Sequence, residues 1–205
     1  DLSAPYLEKI KKECKKLGVE VKVAYSDRLS LFKAIKSIKD IIEQEKGNYI
    51  YVNVASGSKI QAIACMMACM VLKECDNLQP FYAEPESYAA FEGKQQSFGI
   101  KDTIPLPTYE IQTPKPKLLA ALKIISEQKN QKITKKEMAQ IAEEQEIITV
   151  NAEESNHSQA RFASLDKNII LPLERDWKFI EIEKIGRNRW IKITQEGRDA
   201  AEFLI

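Results

Sequence analysis

The stretch YIYVNVASGSKIQAIACMMACM, residues 49–70, decides the fold of the first half of this 205-residue chain. Its opening, residues 49–55, is a run of β-formers, as in a strand that is covered on both faces of a sheet. A turn of small residues follows, and the apolar run after it predicts a buried helix. The turn is therefore expected to lie at the carboxyl edge of a sheet, where open α/β folds bind their ligands.

Helices and strands alternate on both sides of this stretch. Apolar residues at helical spacing predict amphipathic helices at residues 4–17 and 30–44. Period-two alternation predicts a strand at residues 19–25, and a further short strand is expected at residues 79–85. Helices and strands in this order with short connections predict a doubly wound, Rossmann-like parallel sheet. We assign this α/β domain to residues 1–106.

A proline-rich segment separates this half from the next. Residues 105–116, PLPTYEIQTPKP, contain four prolines, which disfavour a helix or a central strand and favour a linker. We place the linker at residues 107–116.

The second half, residues 117–205, has a different pattern. Three helices are expected. The first spans residues 116–128, the second begins at a capping box formed by Thr134 and Glu137, and the third runs from Ser155 toward Leu173. A β-hairpin with Gly186-Arg187-Asn188 as its turn and a closing helix follow. Three helices, a hairpin and a last helix describe a winged helix-turn-helix domain.

Composition limits the classes of function. The net charge of +1 argues against a protein that coats nucleic acid and against an acidic tail. The four Cys and the single His are too scattered to predict a metal site, so no metal and no cofactor are expected. No signal peptide and no membrane span are visible, and unpaired Cys favour a cytoplasmic protein. No catalytic residue can be identified.

The SGSK turn has two interpretations. Ser56, Gly57, Ser58 and Lys59 combine close backbone approach, hydroxyl donors, a positive charge and a helix N-terminus, which suit a phosphate or another anion. The same residues also suit a plain helix N-cap with a glycine corner. The turn matches neither common nucleotide-binding glycine motif, so ordinary ATP or NAD binding is not indicated.

FYAEPESY, residues 81–88, ends the short strand on the same sheet edge. Glu84 and Glu86 could act as a pair of acid–base carboxylates, or they could lie in a solvated turn.

Two groups of residues in the second half could contact DNA. The first group lies on the expected recognition helix, and the second on the basic tip of the wing. The alternatives are an exposed polar helix face, a solubilising turn, and a winged helix that contacts protein. The candidate DNA-binding residues are Asn156, His157, Ser158, Gln159, Arg161, Arg187, Asn188 and Arg189.

Residues 49–70, followed by FYAEPESY, resemble the CARF domain, the CRISPR-associated Rossmann-like fold. The closest resemblance is to the archaeal CARF proteins that carry a C-terminal winged helix and are taken as transcription regulators. WKFIEIEKIGRNRWIKITQEGRDAAEFL, residues 177–204, is similar to the wing and last helix of that group.

The resemblance implies a homodimer with a pocket across its two-fold axis that binds cyclic oligoadenylate, a nucleotide second messenger. Carried onto this chain, the pocket would be lined by Asn53 and by Ser56, Gly57, Ser58 and Lys59. The expected function is a ligand-responsive transcription regulator that binds double-stranded DNA. The alternative is a ring nuclease that cleaves cyclic oligoadenylate in the same pocket, because some CARF domains do so slowly. Whether the protein is an enzyme stays open at this point.

Overall fold

The structure, a computed structural model, describes residues 4–27, 29–88 and 97–205. Within these ranges, the first half contains three helices, of which the second and third pack against each other, and five short strands. Its elements are α1 (Ala4–Lys16), α2 (Leu31–Gln44), β1 (Ile50–Asn53), α3 (Lys59–Val71), β2 (Leu78–Glu84), β3 (Ser87–Tyr88), β4 (Ser97–Phe98) and β5 (Asp102–Pro105).

The central sheet of this half is mixed. Its strand order is β1-β2-β5, with β1 parallel to β2 and β2 antiparallel to β5. The two short strands β3 and β4 form a separate antiparallel pair. The mixed α/β class is therefore confirmed. The described residues form one parallel strand pair, and the predicted Rossmann-like, doubly wound parallel sheet is not confirmed.

The strand predicted at residues 19–25 is wrong. This segment has no regular secondary structure, and its Val19, Val23 and Tyr25 side chains are exposed. Alternating β-formers express only a local preference, and a strand is stable when a neighbouring strand completes its hydrogen bonds. Within the described ranges, no strand lies beside this segment.

The helix predicted after the SGSK turn is confirmed as α3, and its inner face is buried against α2. Small side chains at Ala64, Ala68 and Cys69 meet Ala34 and Ile35 of α2. Small residues let two helices approach closely, so the apolar run forms the centre of the first core. The same burial raises the pKa of the Cys69 thiol to about 12, with the nearby Cys65 adding to the effect.

The second half has the winged helix arrangement. Helices pack on a three-stranded antiparallel sheet of order β6-β8-β7. Its elements are α4 (Pro116–Glu127), β6 (Lys132–Thr134), α5 (Lys135–Glu144), α6 (His157–Leu165), β7 (Ile180–Ile185), β8 (Asn188–Ile193) and α7 (Gln195–Leu204). Its core includes Leu122, Ile125, Met138, Leu165 and Ile191.

The third helix of this half continues beyond α6 in wider turns. Two π-helical segments, Asp166–Ile170 and Pro172–Asp176, extend it to the start of the hairpin. Pro172 cannot donate a backbone hydrogen bond, and in an α-helix its ring would clash with the preceding turn, so a wider turn fits its position. The helix therefore reaches past Leu173, the end expected from the sequence.

The wing differs from the prediction in its turn. Ile185 already pairs with Asn188, so Gly186 and Arg187 alone form the turn, and Asn188 belongs to β8. Gly186 adopts a φ of +62°, which suits a tight turn between two twisted strands. The short strand β6, which pairs with β8, was not predicted, because three residues carry little periodic signal.

The two halves touch through α2 and α7. The Phe32 and Phe203 rings stack with centroids 5.8 Å apart, and the Lys39 ammonium donates to the Leu204 carbonyl at 3.3 Å. The C-terminal helix of the winged helix domain is thus part of the packing of the first half.

The proline-rich segment lies against the first half. The Lys73 ammonium donates to the Thr108 carbonyl at 2.8 Å, and the Ile111 N–H donates to the Met70 carbonyl at 3.3 Å. Pro105, counted with this segment in the sequence, ends β5. The linker boundaries at 107–116 stay a prediction.

None of the helices in the described part of the chain combines the length and the apolar character that crossing a bilayer requires.

Candidate functional site

The SGSK turn follows directly after β1, at the carboxyl edge of the parallel strand pair. The Asn53 side-chain oxygen accepts a hydrogen bond from the Ala55 N–H at 2.8 Å, which fixes the start of the turn. Gly57 adopts a φ of +89°, and a Cβ at this position would lie 2.7 Å from the Gln61 side-chain oxygen. The backbone conformation therefore favours glycine here, and a larger residue would also have to displace the Gln61 side chain.

Ser58 is the N-cap of α3. Its hydroxyl accepts from the Gln61 N–H at 3.2 Å, and its own N–H donates to the Gln61 side-chain oxygen at 2.8 Å. This reciprocal pair is a capping box. The helix-cap interpretation of the turn therefore holds for Ser58, whose hydroxyl keeps its proton available for a further acceptor.

The other donors of the turn face solvent. Ser56 and Lys59 are exposed, and Lys59 forms no ion pair with any other described residue. The first N–H groups of a helix lack partners within the helix and carry its positive dipole end. The structure brings Asn53, Ser56, Gly57, Ser58 and Lys59 into one turn, and their role in ligand binding stays a prediction.

The neighbouring end of β2 carries its own contacts. The Glu84 carboxylate pairs with the Lys101 ammonium at 3.2 Å, and the Tyr82 and Tyr88 hydroxyls lie 3.3 Å apart. The hydrogen bond to Tyr82 raises the pKa of the Tyr88 hydroxyl. A carboxylate already paired with a lysine at the surface is typical of a solvated turn.

The predicted recognition helix is α6, and its residues fall into two groups. Asn156, Ser158 and Gln159 are exposed. His157 and Arg161 instead turn toward α5, where His157 Nε2 lies 2.9 Å from a Glu143 carboxylate oxygen and Arg161 Nε pairs with the other oxygen. The Arg161 contact is a close ion pair without the alignment of a hydrogen bond. These two side chains hold α5 and α6 together and are half-buried, whereas the sequence placed them on the DNA-facing surface.

The wing tip concentrates positive charge. Arg187, Asn188 and Arg189 are exposed, and Lys184 lies directly opposite Arg189 in the hairpin. Like charges directly opposite each other in an antiparallel pair repel and destabilise it. An anion placed near this pair would remove that repulsion.

The other face of the wing is neutralised. The Lys192 ammonium lies 3.0 Å from Glu181 and 3.1 Å from Glu183. Its hydrogen bonds to these carboxylates, that to Glu181 first, raise the pKa of Lys192. The charges of the hairpin are thus segregated, with compensated charge at its base and, among the described residues, uncompensated positive charge at its tip.

A groove of about 680 Å³ separates the wing tip from the start of α5. We call it the wing groove. Four cationic side chains and one carboxylate line it, and Lys136, Arg187 and Arg189 make no ion pair with another described residue. Lys135 is held by Asp166 at 2.6 Å. The lining residues are Thr134, Lys135, Lys136, Glu137, Gln140, Phe162, Arg187, Asn188 and Arg189.

Sequence reasoning missed Lys135 and Lys136. Both follow the helix cap Thr134 at the start of α5. Their relevance arises from the pairing of β6 with β8, which brings the start of α5 beside the wing. Within the described ranges, no group of three His, Cys, Asp or Glu side chains is arranged to hold a metal ion.

Two family models match separate parts of the chain. Residues 117–205 match a family model described as the DUF6293 C-terminal winged helix domain, and residues 1–88 match one described as "HFX_2341_N:-like, N-terminal". An uncharacterised protein of Methanocaldococcus jannaschii is 28% identical over 162 residues. That alignment covers 67% of this chain and 48% of the relative, so the chain spans about half the length of the curated relative that it matches.

The matched regions agree with the architecture described above. The second half is a winged helix domain both in its structure and in its sequence match. The relative comes from an archaeon, in agreement with the expected archaeal type. The chain is therefore similar, in its two halves, to an N-terminal domain of the HFX_2341 type and to the winged helix domain of DUF6293.

Proposed function

We propose that this protein is a DNA-binding transcription regulator whose α/β half senses a nucleotide ligand. The observation that carries the DNA-binding part is the wing groove of a winged helix domain, with Lys136, Arg187 and Arg189 unpaired with any other described residue. Each unpaired cation near a phosphate releases counterions from DNA, and this electrostatic gain supplies most of non-specific binding.

The exposed residues of α6 and the wing groove would have different roles. Ser158 and Gln159 can reach base edges, where small hydroxyls and amides read the sequence. Arg187 and Arg189 would position the domain on the phosphates without reading bases. His157 and Arg161 would act indirectly, because their contacts with Glu143 hold α6 in place.

The ligand-sensing part of the proposal rests on the SGSK turn and on the resemblance to CARF domains. Lys59 is exposed, pairs with no other described side chain, and stands at the N-terminus of α3 on the carboxyl edge of the sheet. Such a position favours a phosphate. The proposed ligand is cyclic oligoadenylate, bound in a homodimer as in the CARF proteins.

A route from this turn to the DNA-binding half runs through packed helices. The turn begins α3, α3 packs on α2, and α2 contacts α7 through Phe32 and Phe203. A ligand that binds one arrangement of α3 better than another would shift the population of winged helix positions by the difference in its affinities.

The test is a DNA-binding titration by fluorescence anisotropy with a labelled duplex, in the presence and absence of cyclic tetra- and hexa-adenylate. A ligand-dependent change in DNA affinity in the parent, lost in Lys59→Ala, would support the proposal. Lys46→Ala is the matched control, because Lys46 is exposed near the amino end of the same strand.

Chromatography of the recovered nucleotide separates a sensor from a nuclease. Intact nucleotide with altered DNA affinity is expected for a sensor. Cleaved nucleotide would favour the ring nuclease alternative. If neither ligand changes the DNA affinity of the parent or of Lys59→Ala, the ligand-sensing part of the proposal is rejected. The DNA-binding part is tested separately, by variants of the wing groove.

A further inference from the structure

An apolar pocket of about 310 Å³ that is open to solvent lies between the two halves of the chain. It is distinct from the SGSK turn and from the wing groove, and we call it the junction cavity. It is lined from α2, from the proline-rich segment, from the end of the third helix and from α7. The lining residues that bear on its chemistry are Phe32, Trp177, Phe179, Glu196, Asp199 and Phe203.

Aromatic side chains form its walls. Phe32 and Phe203 stack with an interplanar angle of 15°, and Trp177 lies against Phe179 with ring centroids 5.6 Å apart. Aromatic faces favour flat groups by offset stacking and attract cations through their negative quadrupole. The walls therefore suit an aromatic ligand, a cation, or a molecule that is both.

The charged lining residues are both acidic. The Glu196 carboxylate makes no hydrogen bond or ion pair with any other described residue, and the Asp199 carboxylate accepts one hydrogen bond, from the Gln195 amide at 2.7 Å. Among the described residues, no Lys or Arg lines the cavity. Lys115 and Lys178 adjoin lining residues in sequence and are exposed, but neither lines the cavity. Lys39 donates to the Leu204 carbonyl, and Arg198 donates to Gln195 and to the Ile193 carbonyl.

We propose that the junction cavity is a binding site for a compact aromatic cation. Its volume falls within the range of about 300–1,000 Å³ typical of small-molecule sites, which often occur between domains. The aromatic walls would receive the ring and the quaternary or protonated nitrogen, and Glu196 and Asp199 would balance the charge. This site does not depend on DNA binding or on the SGSK turn.

The protein carries its own reporter for this site. It has two tryptophans, Trp177 in the cavity wall and Trp190 on the wing. In a Trp190→Phe background, the fluorescence of Trp177 reports the cavity alone. Benzyltrimethylammonium is the probe, and benzylphosphonate, which has a similar size and the opposite charge, is the control ligand.

We expect a saturable change of Trp177 fluorescence with benzyltrimethylammonium and none with benzylphosphonate. Adding Glu196→Gln and Asp199→Asn should weaken cation binding by about tenfold, because two partly exposed charges are lost. Both substitutions keep the shape, and the amide oxygen introduced by Asp199→Asn can still accept from Gln195. Glu202→Gln, in the same helix but outside the cavity lining, should leave the affinity unchanged.

Three results would overturn the proposal: no saturable signal with the cation, equal binding of cation and anion, or unchanged cation affinity in the double amide variant. Circular dichroism and the thermal midpoint of each variant establish that it is folded, so that a loss of binding is not a loss of structure.

Discussion

Phe32 of α2 and Phe203 of α7 stack with nearly parallel rings whose centroids lie 5.8 Å apart. One ring belongs to the α/β half and the other to the last helix of the winged helix domain. This pair, with the Lys39 hydrogen bond to Leu204, makes α7 a shared element of both halves. Any change in the position of α2 therefore acts directly on a helix that packs against the DNA-binding core.

Removing the Phe203 ring should loosen this junction. Phe203→Ala is expected to lower the free energy of unfolding by about 2 kcal/mol, less than the roughly 3–5 kcal/mol of a fully buried Phe, because Phe203 is half-buried. Denaturant unfolding measures the change. Tyr25→Ala, at a side chain that is 82% exposed, is the control and should change the stability by about 0.5 kcal/mol or less. Equal effects of the two substitutions would show that the stacked pair contributes nothing.

Gly197 fixes the approach of α7 to the hairpin. A Cβ at this position would overlap the Phe179 carbonyl oxygen and lie 2.8 Å from Ile193 Cγ1. Because a backbone atom cannot move aside like a side chain, Gly197→Ala should lower stability by about 1–3 kcal/mol. Thermal unfolding measures the loss, with Glu202→Ala in the same helix as control. A stability gain of the kind expected for glycine to alanine in an unhindered helix would contradict this packing.

Glu137 should make the winged helix domain acid-sensitive. Its carboxylate accepts hydrogen bonds from the Thr134 hydroxyl and then from the Thr134 N–H, and these lower the pKa of Glu137 below its ordinary value of 4.5. A lowered folded-state pKa gives stability that is present above 4.5 and is lost as the pH falls through the folded pKa. Urea unfolding should show a larger free energy of unfolding for the parent than for Glu137→Gln at neutral pH. This difference in stability should become smaller below pH 4.5. A difference in stability that does not depend on pH would contradict the lowered pKa of Glu137.

Cys69 should be the least reactive of the described thiols. Burial between α2 and α3 raises its pKa to about 12, so the thiolate that reacts is nearly absent at neutral pH. Iodoacetamide followed by mass spectrometry should label the half-exposed Cys14 in the native protein and Cys69 only after unfolding. Labelling of both at the same rate would mean that α3 opens readily or is not packed as described.

The features predicted correctly from the sequence are those that depend on neighbouring residues, such as helices and their caps. The run after SGSK is apolar, and Ser58 and Gln61 stand three residues apart, so a capped helix follows from neighbouring residues alone. The predicted burial is confirmed for its inner face only, because Ile63 is exposed. The capping box of Thr134 and Glu137 is confirmed for the same reason.

Features that depend on distant partners were missed. Residues 19–25 alternate like a strand but have no neighbouring strand among the described residues. β5 contains a charge and a proline and carries little β signal, yet it pairs with β2. His157 and Arg161 were placed on the right helix, but their direction is set by Glu143 of α5, which no local pattern indicates.

The most direct test of the central proposal, DNA binding through the wing groove, is the salt dependence of that binding. The affinity of the parent for a duplex should fall with salt, with a slope of log K against log salt of about −0.9 for each phosphate contact. Arg187→Ala with Arg189→Ala should weaken binding and make the slope shallower by about two contacts. Lys123→Ala with Arg175→Ala, which removes two exposed cations outside the groove, is the charge-matched control. If the wing variant keeps the parent's affinity and slope, the wing groove does not bind DNA and the proposal is wrong.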